Sequence, residues 1–166
     1  PKKQADGTER QYVVSPYQMV AKDGKYYLIC NYDKYDDVAN YRLDRITGIR
    51  MLDTPRKPMQ CIPELRNGLS LPKHMAEHLY LFSGESVPVT FRMKKRILND
   101  VMDWFGSEIA FSEETEEEVT ARVTVNYDAM RHWALQYCRY IHVLSPADLA
   151  QTVKSDLMEA LEKYGD

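Results

Sequence analysis

The tightest constraint on this chain is a four-residue turn, Lys22-Asp23-Gly24-Lys25. It separates two stretches, residues 11–21 and 26–32, that carry the β-branched and aromatic content of strands. Gly24 can adopt a positive φ at no steric cost, so the two stretches read as an antiparallel hairpin. Pro16 has no N–H for a ladder and makes the first strand an edge or a bend. Residues 26–32 are mostly apolar, which calls for cover on both faces of the second strand. After a polar loop, residues 41–46 form a third strand signal, and Thr47-Gly48 permits a bend before a fourth at 49–52. Four short strands at this spacing predict a small sheet or partial barrel. Residues 1–10 are polar, with a turn signal at Asp6-Gly7, and read as a loop.

Residues 53–72 hold Pro55, Pro58, Pro63 and Pro72, half of the chain's prolines, and read as a connector with little regular structure. Residues 71–81 read as a helix with Pro72 in its first turn and Met75, Leu79 and Phe82 at helical spacing. From Ser86 the pattern changes. A strand at 87–93 leads to a helix at 94–105 that Gly106 stops. Strands at 108–112 and 119–126 flank an acidic turn, and a helix capped by Asp128 follows. A strand at 140–144 leads to a last helix, capped by Ser145 with Pro146 at its first position, running to about Tyr164. The order β-α-β-β-α-β plus a helix is the split βαβ, or ferredoxin-like, arrangement. The expected class is therefore α+β, with one domain at 1–84 and a second at 85–166.

Composition narrows the function. No run approaches the ~18 apolar residues of a membrane span, and no charged leader precedes an apolar stretch. The first residue is not Met, from which we expect a piece of a longer protein. Cys30, Cys61 and Cys138 are odd in number, far apart and in no CxxC pattern, which fits reduced thiols in the cytoplasm rather than disulfides or zinc. Residues 1–85 carry 13 Lys and Arg against 11 Asp and Glu, whereas residues 86–166 carry 9 against 14. An anionic partner therefore belongs with the first half.

Tyr26-Tyr27-Leu28, preceded by Gly24 and followed by Ile29-Cys30-Asn31-Tyr32, resembles the name motif of the WYL-domain transcriptional regulators, with Tyr in place of Trp. Arg42-Leu43-Asp44-Arg45-Ile46 is similar to that family's Arg-hydrophobic-Asp-Arg-Ile strand, and Ser15-Pro16-Tyr17 to its first strand. Residues 101–106, Trp133 and Val143-Leu144-Ser145-Pro146 resemble the C-terminal extension that accompanies these domains. The resemblance implies a bacterial transcriptional regulator whose WYL domain is a small Sm-like or SH3-like barrel sensing a ligand, nucleic acid being the best-supported class. It also implies an extension that serves in dimer contacts, and operator DNA bound through a helix-turn-helix that this chain does not contain. The family's first helix and strand would lie upstream of Pro1.

Arg42 and Arg45 are the candidate ligand-binding residues, because a guanidinium fork matches phosphate or carboxylate and keeps its charge. Tyr17, Tyr27 and Tyr32 would add the stacking faces that single-stranded nucleic acid requires. In a strict strand Arg42 and Arg45 point to opposite faces, so a joint site needs the strand to bend or end there. A nucleic acid or nucleotide effector, single-stranded preferred, and a homodimer are the expected partners. A dimerisation module without ligand is the alternative.

His74-Met75-Ala76-Glu77-His78 has the H-x-x-E-H spacing of an inverted zinc-peptidase motif, but no third ligand accompanies it, and an exposed helix face is the expected reading. The acidic run 113–118 reads as a solvated turn, and Lys94-Lys95-Arg96 as a surface cluster. Trp104 and Trp133 belong to a core. With no Gly-rich phosphate loop, nucleophile elbow or Ser/His/Asp set, we expect no enzyme, no cofactor and no metal.

Overall fold

The computed structural model describes residues 11–165, and the turn expected at Asp6-Gly7 lies outside them. The fold is α+β with two antiparallel sheets, in two compact units that divide between Leu69 and Ser70.

In the first unit, β1 (Val14–Lys22), β2 (Lys25–Tyr32) and β3 (Ala39–Arg42) form one sheet in that order. Asp23 and Gly24 both have positive φ, +50° and +71°, the backbone of a type I′ turn, and Lys22 pairs with Lys25 across it. The ladder between β1 and β2 shifts register between Pro16 and Gln18, so Tyr17 is the extra residue of a bulge. Three consecutive β2 residues, Ile29, Cys30 and Asn31, are fully buried. Successive side chains alternate faces, so both faces of this strand are covered.

The proline-rich stretch expected to be a loose connector is itself ordered. It contains two 3-10 turns, Met59–Cys61 and Pro63–Leu65, and buries Ile62 and Leu65. The backbone N–H of Lys57 donates to Ser15 Oγ at 2.8 Å, and Tyr17 donates to the Lys57 carbonyl at 2.9 Å. The stretch is thus a strap stitched to β1. The third strand is shorter than expected, because the chain enters a 3-10 turn at Leu43–Arg45. The fourth does not form. Ile49 and Met51 are 85% and 93% exposed, with no strand to pair and no core to enter among the described residues. The sheet is open among the described residues.

The second unit runs α1 (Leu71–Glu77), β4 (Ser86–Lys94), α2 (Leu98–Phe105), β5 (Ala110–Ser112), β6 (Glu118–Asn126), α3 (Tyr127–Gln136), β7 (Ile141–Ser145), α4 (Ala147–Glu162). Its sheet has the order β5-β6-β4-β7, every neighbour antiparallel. Period-2 alternation sends Val89, Phe91 and Met93 of β4 inward, and with them Val119, Ala121, Val123 and Val125 of β6. They meet Val101 and Phe105 of α2, Met130 and Trp133 of α3, and Leu149 and Val153 of α4. Leu79 joins this core, which is why the division falls at Ser70 and not near residue 84. Gly106 ends α2 at φ +59°, a conformation a Cβ would strain.

Two caps differ from expectation. Asn126, not Asp128, caps α3, its Oδ1 accepting from the Ala129 N–H at 3.0 Å, because the helix starts one residue before Asp128. Ser145 is spent as the last residue of β7, and Pro146 takes the N-cap position of α4 without a side-chain bond. Arg131 of α3 grips Asp156 of α4 with two bonds of 2.6 Å.

Trp133 is the hub of the second core. Its ring is fully buried against Phe91, Phe105 and Tyr137 at centroid distances of 5.4, 5.0 and 4.9 Å. Trp133→Ala will destabilise this unit by about 3–5 kcal/mol in a denaturant titration. Trp133→Phe will cost well under half of that, because the indole N–H it removes has no hydrogen-bond partner.

Candidate anion-binding site

The Arg-Leu-Asp-Arg segment straddles the end of β3, and that placement decides its chemistry. Arg42 is the last strand residue and the cross-strand partner of Tyr27, so the two side chains share a face. The 3-10 turn then brings Asp44 back toward Arg42. Arg42 Nε and Nη2 donate to Asp44 Oδ1 and Oδ2 at 3.0 and 2.5 Å, a bidentate fork. Those bonds, with the charge of Arg45 nearby, hold the Asp44 carboxyl below the usual carboxylate range. The strand thus ends where a joint role for Arg42 and Arg45 requires it to end. Arg45 is exposed, whereas Arg42 is 23% exposed and its fork is filled by a carboxylate that is itself 58% exposed.

The tyrosines divide. Tyr27 stands beside Arg42. Tyr32 belongs to an aromatic chain, edge-on to Tyr12 at 5.2 Å and to Tyr35 at 5.5 Å, with Tyr12 next to Tyr41 at 5.7 Å. Burial pushes the Tyr41 hydroxyl up to about 12. The loop beyond Tyr32 carries Asp33, Asp36 and Asp37 against Lys34, a poor setting for a phosphate. Buried Asn31 shapes that loop, donating to the carbonyls of Tyr35 and Asp37 at 2.8 and 2.9 Å.

Tyr17 lies at the bulge, under the strap. Burial raises its hydroxyl pKa, with Lys57 and Arg56 pulling the other way. The Arg56 guanidinium lies over the Tyr17 ring, 5.9 Å from its centroid, and Nη1 donates to the Pro16 carbonyl at 3.1 Å. Lys57 Nζ pairs with Asp36 at 2.6 Å. Arg56 and Lys57 were invisible as site residues in a proline-rich connector. The one signal in the sequence was two adjacent cations between Pro55 and Pro58.

Features of the second unit resolve differently. His74 and His78 are buried, not on an exposed face, with ring centroids 4.3 Å apart and planes tilted by 37°, and His78 Nδ1 lies 2.9 Å from the Phe82 carbonyl oxygen. Among the described residues no group of three His, Cys, Asp or Glu converges as a metal site. The acidic turn and the basic cluster answer one another: Lys95 pairs with Glu114 at 2.6 Å, Arg92 with Glu113 at 3.4 Å, and Arg96 covers the Tyr140 ring at 4.4 Å. An apolar groove of about 620 Å³ runs between β7 and α4, lined by Leu144, Leu157, Met158 and Leu161. No described helix is long and apolar enough to cross a membrane.

The WYL domain family model matches residues 3–51. No protein with a curated description matches the chain. A solved structure titled a CRISPR Cas-related protein is similar over 93% of this chain, with TM-score 0.56 and 15% identity. Proteasome accessory factor B/C of Arthrobacter aurescens is similar over 92%, with TM-score 0.46 and 17% identity. The chain spans 44% and 22% of the lengths of those two proteins.

Cys30 is fully buried in β2, which pushes its thiol up to about 12, whereas Cys61 and Cys138 are exposed. A native thiol titration with an aromatic disulfide reagent will therefore read two fast thiols, Cys30 reacting only on unfolding. Fast modification of Cys30 would mean that strap and sheet do not close over β2.

Proposed function

We propose that this chain, which carries a WYL domain over residues 3–51, is the effector-sensing region of a bacterial transcriptional regulator. Its first unit binds an anionic ligand, nucleic acid or nucleotide with single strands preferred, through Arg42 and Arg45, with Tyr27 beside them. The observation that carries this reading is the turn that ends β3 at Arg42, forks Arg42 onto one exposed carboxylate, Asp44, and leaves the next residue, Arg45, exposed. Asp44 occupies the fork as an anion would. Exposed ion pairs are weak, so a phosphate can take its place.

The remaining parts are read to match. The three-stranded sheet is part of an Sm-like or SH3-like barrel. The second unit is ferredoxin-like, supported by its β5-β6-β4-β7 order with α2 and α3 as crossovers. The protein works in the cytoplasm as a homodimer and is not an enzyme. A helix-turn-helix outside this chain holds operator DNA. The effector favours one dimer geometry and so shifts how the DNA-binding parts are presented.

Fluorescence anisotropy with labelled single- and double-stranded DNA and RNA, at two salt concentrations, tests the reading. Arg42→Ala with Arg45→Ala will weaken binding and lower the salt slope by about 1.4, two single-strand phosphate contacts. Asp44→Asn will tighten binding, because it removes the competing negative charge and one of the two acceptors from the fork without removing a cation. A double variant that binds every oligomer as the wild type does would overturn the proposal.

The apolar groove between β7 and α4 favours a second reading, a dimerisation module without ligand. β7 is an edge strand with one open side, as strand addition needs. On this reading Leu157→Glu with Leu161→Glu yields monomers by light scattering, and no oligonucleotide changes the melting temperature of the wild type.

A further inference from the structure

We infer that Arg56 and Tyr17 form a second anion site on the first unit, one that takes a phosphate group. Nothing in the motif around Arg42 points to it, because Arg56 sits fourteen residues further on, in the strap.

The site is held from both sides. Lys57, the next residue, is fixed to β1 through its N–H on Ser15 Oγ and its carbonyl under the Tyr17 hydroxyl. The Arg56 side chain is fixed by the Pro16 carbonyl and the Tyr17 ring. The bulge supplies both partners, since Pro16 and Tyr17 stand at the register shift. An arginine already oriented this way gives up less rotamer freedom when a ligand arrives.

Its charge is also left open. Carboxylates answer Arg42, Lys57, Arg92, Lys95 and Arg131. Among the described residues none pairs with Arg56. One hydrogen bond, to a neutral carbonyl, leaves most of its five N–H donors for a guest. Those donors suit the oxygens of a phosphate, which accept two parallel bonds from a guanidinium. Lys57 stands alongside with its ammonium held by Asp36, and the Tyr17 hydroxyl has given its hydrogen to the Lys57 carbonyl, so Tyr17 contributes its ring beneath the guanidinium. A free nucleotide and a nucleic-acid backbone present the same group.

This inference rests on the reading of the first unit as an anion receptor, and the experiment separates the two. The full chain is titrated with a labelled single-stranded oligonucleotide, then competed with a nucleoside monophosphate and with inorganic phosphate. Arg56→Ala weakens oligonucleotide binding about tenfold, and Arg56→Lys recovers little of it, because an ammonium lacks the fork. Tyr17→Phe, which keeps the ring under Arg56, has a smaller effect. Competition by the monophosphate assigns the site to free nucleotides, and its failure assigns the site to the backbone. An unchanged melting temperature and a still-protected Cys30 show that the strap remains in place. If Arg56→Ala binds as the wild type does while the Arg42 and Arg45 double variant is weakened, the second site is overturned and the first stands. If only Arg56→Ala is weakened, the second site stands alone. Wild type, Arg56→Ala and the double variant binding equally would overturn both.

Discussion

A three-stranded sheet whose middle strand is apolar on both faces cannot stand by itself in water. β2 buries Ile29, Cys30 and Asn31 in succession, and the other features of the first unit follow from covering them. One face alone would leave half of those residues wet. The strap supplies Ile62 and Leu65, and it is drawn in by hydrogen bonds at Ser15 and Tyr17. Asn31 is the polar exception: its side-chain NH2 donates twice to the loop folded over it, while its Oδ1 is buried with no partner among the described residues. The placement of Arg56 and Lys57 over the bulge is therefore a by-product of apolar burial, not of a charged motif.

Charge in the rest of the molecule is mostly settled locally. Two glutamates of the acidic turn before β6 find cations some twenty residues back, Glu113 meeting Arg92 of β4 and Glu114 meeting Lys95 just after it. Asp156 is gripped by Arg131 between two helices. Such pairs explain why a run of six residues with five glutamates need not mark a partner surface. In the first unit two arginines are answered incompletely: Arg42 by a carboxylate two residues away and largely exposed, Arg56 by a carbonyl alone. A receptor for anions needs positive charge that folding has not already consumed.

The sequence carried the hairpin plainly, because Asp23-Gly24 admits few backbone solutions and the flanking residues are strand formers. Period-2 alternation in β4 and β6 and helical spacing through Trp104 and Trp133 made the second core readable as well. The failures share one cause. Residues 49–52 have strand composition but no partner among the described residues, and pairing is a property of neighbours, not of composition. His74 and His78 look like a surface motif in isolation, yet tertiary packing buries them. Prolines at 55, 58 and 63 forbid regular structure without forbidding order, so a fixed strap passed for a loose connector. The five candidate residues were each placed in or beside the sheet, but only Tyr27, Arg42 and Arg45 fall on the β3 side of it. Tyr17 went to the strap and Tyr32 to an aromatic chain.

On the proposed function, that division gives a sensor something to move. The turn at Leu43–Arg45 buries none of its residues, and the six that follow make no strand. An anion that displaces Asp44 from Arg42 removes the main side-chain restraint on this turn. The segment beyond it, with Ile49 and Met51 exposed, has little packing of its own to resist. Replacement of one exposed carboxylate by a ligand phosphate is thus energetically modest at the site and structurally permissive downstream. A switch of this kind works by exchange between two anions for one guanidinium, and the ligand biases the turn because it is not tethered to the turn as Asp44 is.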